Sequence, residues 1–127
     1  LFVEREIKAM IKILIIEDTL LVAEMLTVRL TKEGYNTIFY TNPVDAVEDM
    51  KVSKYDIIIS DLEMPDVGGE EILELVTESY RDISLILMSG NFEKLSSINC
   101  NHKLEKPFDF EELLSMISRI IIDKKLS

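Results

Sequence analysis

Apolar residues fall in two rhythms along this chain, short unbroken runs and longer stretches in which they recur every three or four positions. Residues 11–16, 57–59 and 85–88 are runs rich in Ile and Leu and too short for helices, so they read as strands buried on both faces. Residues 36–40 form a weaker strand, and 103–106 a short one cut off by Pro107. Between them the helical rhythm predicts four helices. In the first, Leu21, Met25, Val28 and Leu30 share a face, and Gly34 is the stop. The second begins at Pro43 and buries Val44, Val47 and Met50. The third spans 70–79, with Ile72, Leu73, Leu75 and Val76 apolar. The last spans 109–122, with Asp109 as its cap and Leu113, Met116, Ile117 and Ile120 as its stripe. Residues 92–101 are polar and offer only Leu95 and Ile98 at regular positions.

Strand and helix thus alternate, and every Gly and Pro falls at an element boundary. This predicts an α/β fold, a doubly wound five-stranded parallel sheet with helices on both faces and right-handed crossovers. The domain proper covers 11–122. Residues 1–10 are an N-terminal extension that extends the first strand, forms a short helix or is non-native. Residues 123–127 are a C-terminal tail.

Composition narrows the function. At 127 residues, 47% hydrophobic and 30% charged, the chain is one ordinary globular domain. No apolar run exceeds four residues, so no membrane span is expected, and the start does not resemble a signal peptide. The single cysteine, Cys100, excludes an internal disulfide framework. A cytoplasmic protein is expected. The net charge of −10 disfavours direct binding to nucleic acid.

Candidate chemistry lies at the strand ends. In open parallel sheets the strand C-termini form one crevice. The first strand delivers Glu17 and Asp18 there, the third Asp61, the fourth Ser89 and the fifth Lys106. Taken singly, Asp61 could start a turn, Glu17 or Asp18 cap a helix, and Lys106 be a surface lysine. Together they make a site. Two like charges ~4 Å apart repel by roughly 4 kcal/mol at an effective dielectric of 20. Such a cluster calls for protonation or a bound cation, and Mg²⁺ suits carboxylate and phosphate oxygens. The physical reading is a metal-assisted phosphoryl site. Asp61 is the nucleophile, Lys106 and Mg²⁺ neutralise phosphoryl oxygens, and Ser89 donates its hydroxyl to one of them.

Glu17-Asp18, Asp61-Leu62-Glu63-Met64-Pro65 with Gly68-Gly69, Met88-Ser89-Gly90 and Lys106-Pro107-Phe108 together resemble the receiver domain of two-component response regulators, the CheY-like class. The resemblance covers about residues 11–122. It implies a flavodoxin-like sheet of order 2-1-3-4-5 and a phosphoprotein whose Asp61 accepts phosphate from a sensor histidine kinase or a histidine phosphotransfer protein. It implies Mg²⁺ (or Mn²⁺) held by Asp18, Asp61 and the backbone carbonyl of Glu63, with Glu17 acting directly or through water. It also implies a cis bond before Pro107. Output is expected through altered contacts with a downstream protein, as a stand-alone domain, with a homodimer left open.

Two positions depart from the family pattern. Lys103 stands where the family carries its switch aromatic. Ser89 and Lys106 are 17 positions apart, a short spacing that predicts a fourth helix that is very short or missing. The rival reading is a non-phosphorylated pseudo-receiver, an interaction or dimerisation module. A hydrolase working through an aspartyl phosphate lacks its Asp-x-Asp pair in Glu17-Asp18-Thr19, and a flavin protein lacks a hydroxyl-rich phosphate cradle. His102 and Cys100 read as a surface residue and a free thiol.

Overall fold

The apolar runs pair side by side in the computed structural model, which describes residues 2–126. In chain order the elements are α1 (Phe2–Met10), β1 (Lys12–Ile16), α2 (Leu20–Lys32), β2 (Asn36–Tyr40), α3 (Pro43–Met50) and β3 (Ile57–Asp61). Then come α4 (Gly69–Ser79), β4 (Ser84–Ser89), α5 (Phe92–Ser97), β5 (His102–Glu105) and α6 (Phe110–Leu126). The strands are all parallel, in the order β2-β1-β3-β4-β5. This is the doubly wound, flavodoxin-like α/β fold. The order reverses between β1 and β3, which opens a crevice at their C-terminal ends.

The unbroken apolar strands follow from burial on both faces. Ile13, Ile15, Ile57, Ile59, Ile86 and Met88 pack on one face with α2 and α6. Leu14, Ile16, Ile58, Leu85 and Leu87 pack on the other with α3, α4 and α5. All lie at 5% exposure or less, so neither face can tolerate a polar alternation.

The helix faces differ from expectation where a helix is apolar on several sides. α2 buries Ala23, Leu26 and Leu30. Leu21, Met25 and Val28 are 76%, 50% and 53% exposed, so of the predicted stripe only Leu30 is core. The small Ala23 lets the helix sit close on the sheet, which rotates the bulkier side chains outward. In α3 the buried residues are Pro43, Ala46 and Met50, while Val44 is exposed and Val47 half-buried. α6 buries Leu113, Ile117 and Ile120, three of the four predicted.

Caps fix the element ends. Asn42 Oδ1 accepts from the Val44 N–H at 2.9 Å, with Pro43 in the first turn of α3. Gly34, at φ +108°, closes α2, and the Tyr35 N–H returns to the Leu30 carbonyl at 3.2 Å. The N-terminal extension is a helix, α1, and Lys8 reaches over the Tyr35 ring at 5.6 Å. The final helix does not stop at 122 but continues to Leu126, so the expected tail is mostly helix. Lys124 explains the extension: its ammonium donates to the carbonyls of Asp56 at 2.8 Å and Asp82 at 2.6 Å, anchoring the last turns across the sheet. The shortened fourth crossover is α5, six residues long. Asn91 Oδ1 caps it by accepting from the Lys94 N–H at 3.0 Å.

Candidate phosphoryl site

Glu17 follows β1 directly, and its N–H donates to the Tyr40 carbonyl at 3.1 Å, which extends the β1–β2 ladder by one residue. Its carboxylate is 1% exposed. Oε1 accepts from Lys106 Nζ at 2.8 Å and Oε2 from the Thr19 N–H at 3.0 Å. Asp61 closes β3 at 6% exposure, and its Oδ1 accepts from the same ammonium at 2.6 Å. One lysine therefore holds two carboxylates 44 residues apart in the chain. Asp18 is exposed beside them, and oxygens of Glu17, Asp18 and Asp61 lie within 4.8 Å of one another.

The chain after Asp61 is shaped around it. Leu62 N–H donates to the Met88 carbonyl at 2.8 Å, Asp66 turns at φ +67°, and the Gly69 N–H returns to the Leu62 carbonyl at 2.9 Å. Aspartate adopts that left-handed conformation more readily than most residues. α4 then starts so close to the strand that a Cβ on Gly69 would lie 2.7 Å from the Asp61 carbonyl oxygen.

Ser89 ends β4 at 5% exposure. Its hydroxyl donates to Glu63 Oε1 at 3.3 Å and accepts from the Asn91 N–H at 2.9 Å. The backbone carbonyl of Glu63 accepts no hydrogen bond among the described residues. Lys106 is set by its N–H donating to the Ser89 carbonyl at 2.8 Å, and the Lys106–Pro107 bond is cis. Lys103 lies apart from this group. Its half-buried ammonium donates to the carbonyl of Ile98, at the C-terminus of α5, at 3.0 Å. Sequence reasoning did not single out Asn91, which both caps α5 and binds Ser89. Its signal was present, an Asn just past a strand end and just before a helical turn.

Electrostatics follows from the crowding. Burial raises the Asp61 carboxyl, and the Glu17 carboxyl hydrogen-bonded to it raises it further, so despite Lys106 it stands at about 8. Burial alone would raise Glu17 as well, but hydrogen bonds from Asp61, Lys106 and the Thr19 N–H outweigh it and hold Glu17 at about 2. Burial would lower Lys106, and its two carboxylate partners raise it instead. Without a further cation the crowding favours a proton on the Asp61 carboxyl. Exposed and buried carboxylate oxygens within 4.8 Å of one another make a hard-oxygen donor set, which fits a small divalent cation such as Mg²⁺.

A doubly wound sheet of this strand order, with paired acids, a hydroxyl and a lysine at its C-terminal crevice, is an α/β domain of the flavodoxin-like class. The profile of the response regulator receiver domain matches residues 13–118, and the chain belongs to that family. Response regulator ArlR of Staphylococcus aureus is 32% identical over 116 residues, 88% of this chain and 53% of ArlR. The DNA-binding transcriptional regulator NtrC of Proteus hauseri is 26% identical over 112 residues, 84% of this chain and 24% of NtrC. The chain thus spans about half of one relative and a quarter of the other. Among solved structures, response regulator TrrA from Thermotoga maritima, in complex with Mg²⁺–BeF, superposes with a TM-score of 0.78. It is 27% identical, and the match covers 87% of this chain and 99% of that one.

Proposed function

We propose that Asp61 accepts a phosphoryl group from the phosphohistidine of a sensor histidine kinase or histidine phosphotransfer protein, in a Mg²⁺-dependent reaction. The observation that carries this reading is the Lys106 ammonium bound at once to Asp61 and Glu17, beside Asp18. An Asp61 oxygen attacks phosphorus, the P–N bond breaks, and the imidazole leaves with the bond's electron pair. Lys106 follows the charge onto the phosphoryl oxygens, and Ser89 exchanges its hydrogen bond to Glu63 for one to a phosphoryl oxygen. Glu17, Asp18, Asp61 and the Glu63 carbonyl would hold the ion, which when bound screens the crowded negative charge. Mn²⁺ suits the same oxygens. The complex of TrrA with Mg²⁺–BeF supports this assignment.

The donor's approach is favoured on one side. A mostly apolar groove of about 400 Å³ runs beside Lys106, lined by Val22, Met25, Leu26, Pro107, Phe108 and Phe110, with Arg29 over the Phe110 ring at 4.0 Å. With the exposed Leu21 and Val28 of α2 it suits an apolar helix of the phosphodonor protein. Among the described residues no helix is long and apolar enough to cross a membrane. A cytoplasmic site of action in two-component signalling, with output through a downstream protein, fits this reading.

The six-residue α5 and the engagement of Lys103 with Ile98 favour a second reading, an interaction module that is not phosphorylated. Intact-mass measurement after incubation with acetyl phosphate separates the two. One added phosphoryl group, absent in Asp61→Asn and without Mg²⁺, is expected. No adduct together with no Mg²⁺ binding would sink the phosphoacceptor reading in favour of the module.

A further inference from the structure

The two edges of the sheet are guarded very differently. β5 carries an exposed charge at Glu105, a usual defence of an exposed edge against pairing. β2, with the sequence Asn-Thr-Ile-Phe-Tyr, carries none. It sits in the stretch from Gly34 to Val44, which holds no charged residue in a chain of net charge −10. Ile38, at the middle of the strand, is 39% exposed.

Hydrogen bonding shows which backbone groups the edge presents. The Asn36 N–H donates to the Ile11 carbonyl and the Tyr40 carbonyl accepts from the Glu17 N–H, each at 3.1 Å. In parallel pairing, alternate residues face the partner strand, so Asn36, Ile38 and Tyr40 turn their polar groups toward β1. The N–H and C=O of Thr37 and Phe39 therefore point away from the sheet. The Thr37 hydroxyl oxygen is also buried without a hydrogen-bond partner. A bare, uncharged, β-favouring edge is a template for another strand.

We propose that β2 pairs antiparallel with β2 of a second copy of this chain, about a two-fold axis through Ile38, joining the two sheets into one. The register is self-complementary. Thr37 stands opposite the partner's Phe39, and Phe39 opposite the partner's Thr37. Each pair exchanges N–H and C=O groups, as an antiparallel hydrogen-bonded pair does. Two copies of net charge −10 repel, and this uncharged edge brings them together with no charged side chain on the paired strands. The pairing therefore strengthens as salt screens that repulsion. It is independent of the phosphoacceptor chemistry.

Sedimentation velocity between about 10 μM and 1 mM tests this, in a range suited to a small interface. A monomer–dimer equilibrium is expected that tightens from low to moderate salt and weakens about tenfold or more in Ile38→Lys, which sets two ammonium groups against each other at the axis. Hydrogen exchange of the unmutated protein supplies a second readout. The amides of Thr37 and Phe39 should slow as concentration rises, while those of Lys103 and Glu105 do not. A monomer throughout overturns the proposal. So does a dimer that Ile38→Lys leaves intact or that protects β5.

Discussion

Lys106 Nζ lies 2.6 Å from Asp61 Oδ1 and makes a second bond, to Glu17, of 2.8 Å. The two carboxylates come from adjacent strands and neither can move off the ammonium without exposing the other to an unscreened neighbour. Glu17 is almost fully buried and depends on this partner most. Lys106→Met should therefore lower unfolding free energy by about 2 kcal/mol at pH 8, short of the full loss of a buried pair because the lysine is 31% exposed. Urea denaturation measures it, and added Mg²⁺ should restore part of the loss. An unchanged midpoint would mean that the pair contributes no net stability.

The shared proton gives the metal-free protein a distinct pH response. Asp61 stands at about 8 when folded, against an ordinary 3.8. Between those values the folded state binds more proton than the unfolded, so stability falls as pH rises from about 4 to 8. Glu17, held at about 2, works the other way, and its contribution is lost only as pH falls below its ordinary value of 4.5. Asn is isosteric with the protonated Asp61 and never charges. Asp61→Asn should match the parent near pH 4 and exceed it at pH 9 by on the order of a few kcal/mol, because only the parent must give up the proton that burial and Glu17 favour. Urea midpoints in chelator across that range test it. A parent as stable as the variant at pH 9 contradicts the assigned crowding.

Lys103 presents an ammonium that ties β5 to the end of α5. Removing it in Lys103→Ala frees the Ile98 carbonyl, at a cost of about 1 kcal/mol locally. Amides of residues 94–98 should exchange several-fold faster, with the sheet amides unchanged. If α5 exchange is unaffected, the contact does not hold that helix in place.

Strand positions and their terminal acids were legible because burial on both faces leaves an unbroken apolar run, and the run must stop where the crevice begins. Asp61 after three isoleucines is the plainest case. The inward face of α2 was not legible, since Leu21, Met25 and Val28 are as apolar as the Ala23, Leu26 and Leu30 that the sheet accepts. Only the closeness permitted by alanine separates them. α5 was too short to express a period, and the spacing of Ser89 and Lys106 left open whether it was very short or missing. The pairing of Lys106 with Glu17 spans 89 residues, so topology had to be inferred before the pair could be.

Gly69 sets where Asp61 stands. A Cβ there would meet the Asp61 carbonyl oxygen at 2.7 Å, Leu62 Cα at 2.8 Å and Leu87 Cδ2 at 2.9 Å. Two of these are backbone atoms at the end of β3, which cannot rotate away as a side-chain tip could. Gly69→Ala must therefore push α4 off the strand or displace the segment from Asp61 to Leu62. The expected loss is about 1–3 kcal/mol, that of overpacking a tight contact, with slower phosphoryl uptake from acetyl phosphate. Two other glycines separate this from a generic helix effect. Gly90→Ala meets nothing within 4 Å and should be nearly silent, and Gly68→Ala meets only the Leu62 carbonyl oxygen at 3.3 Å and should fall between. The order 69, 68, 90 in both thermal stability and uptake rate is the result expected. Equal losses at all three would mean that glycine's backbone freedom, rather than close approach to Asp61, governs this loop.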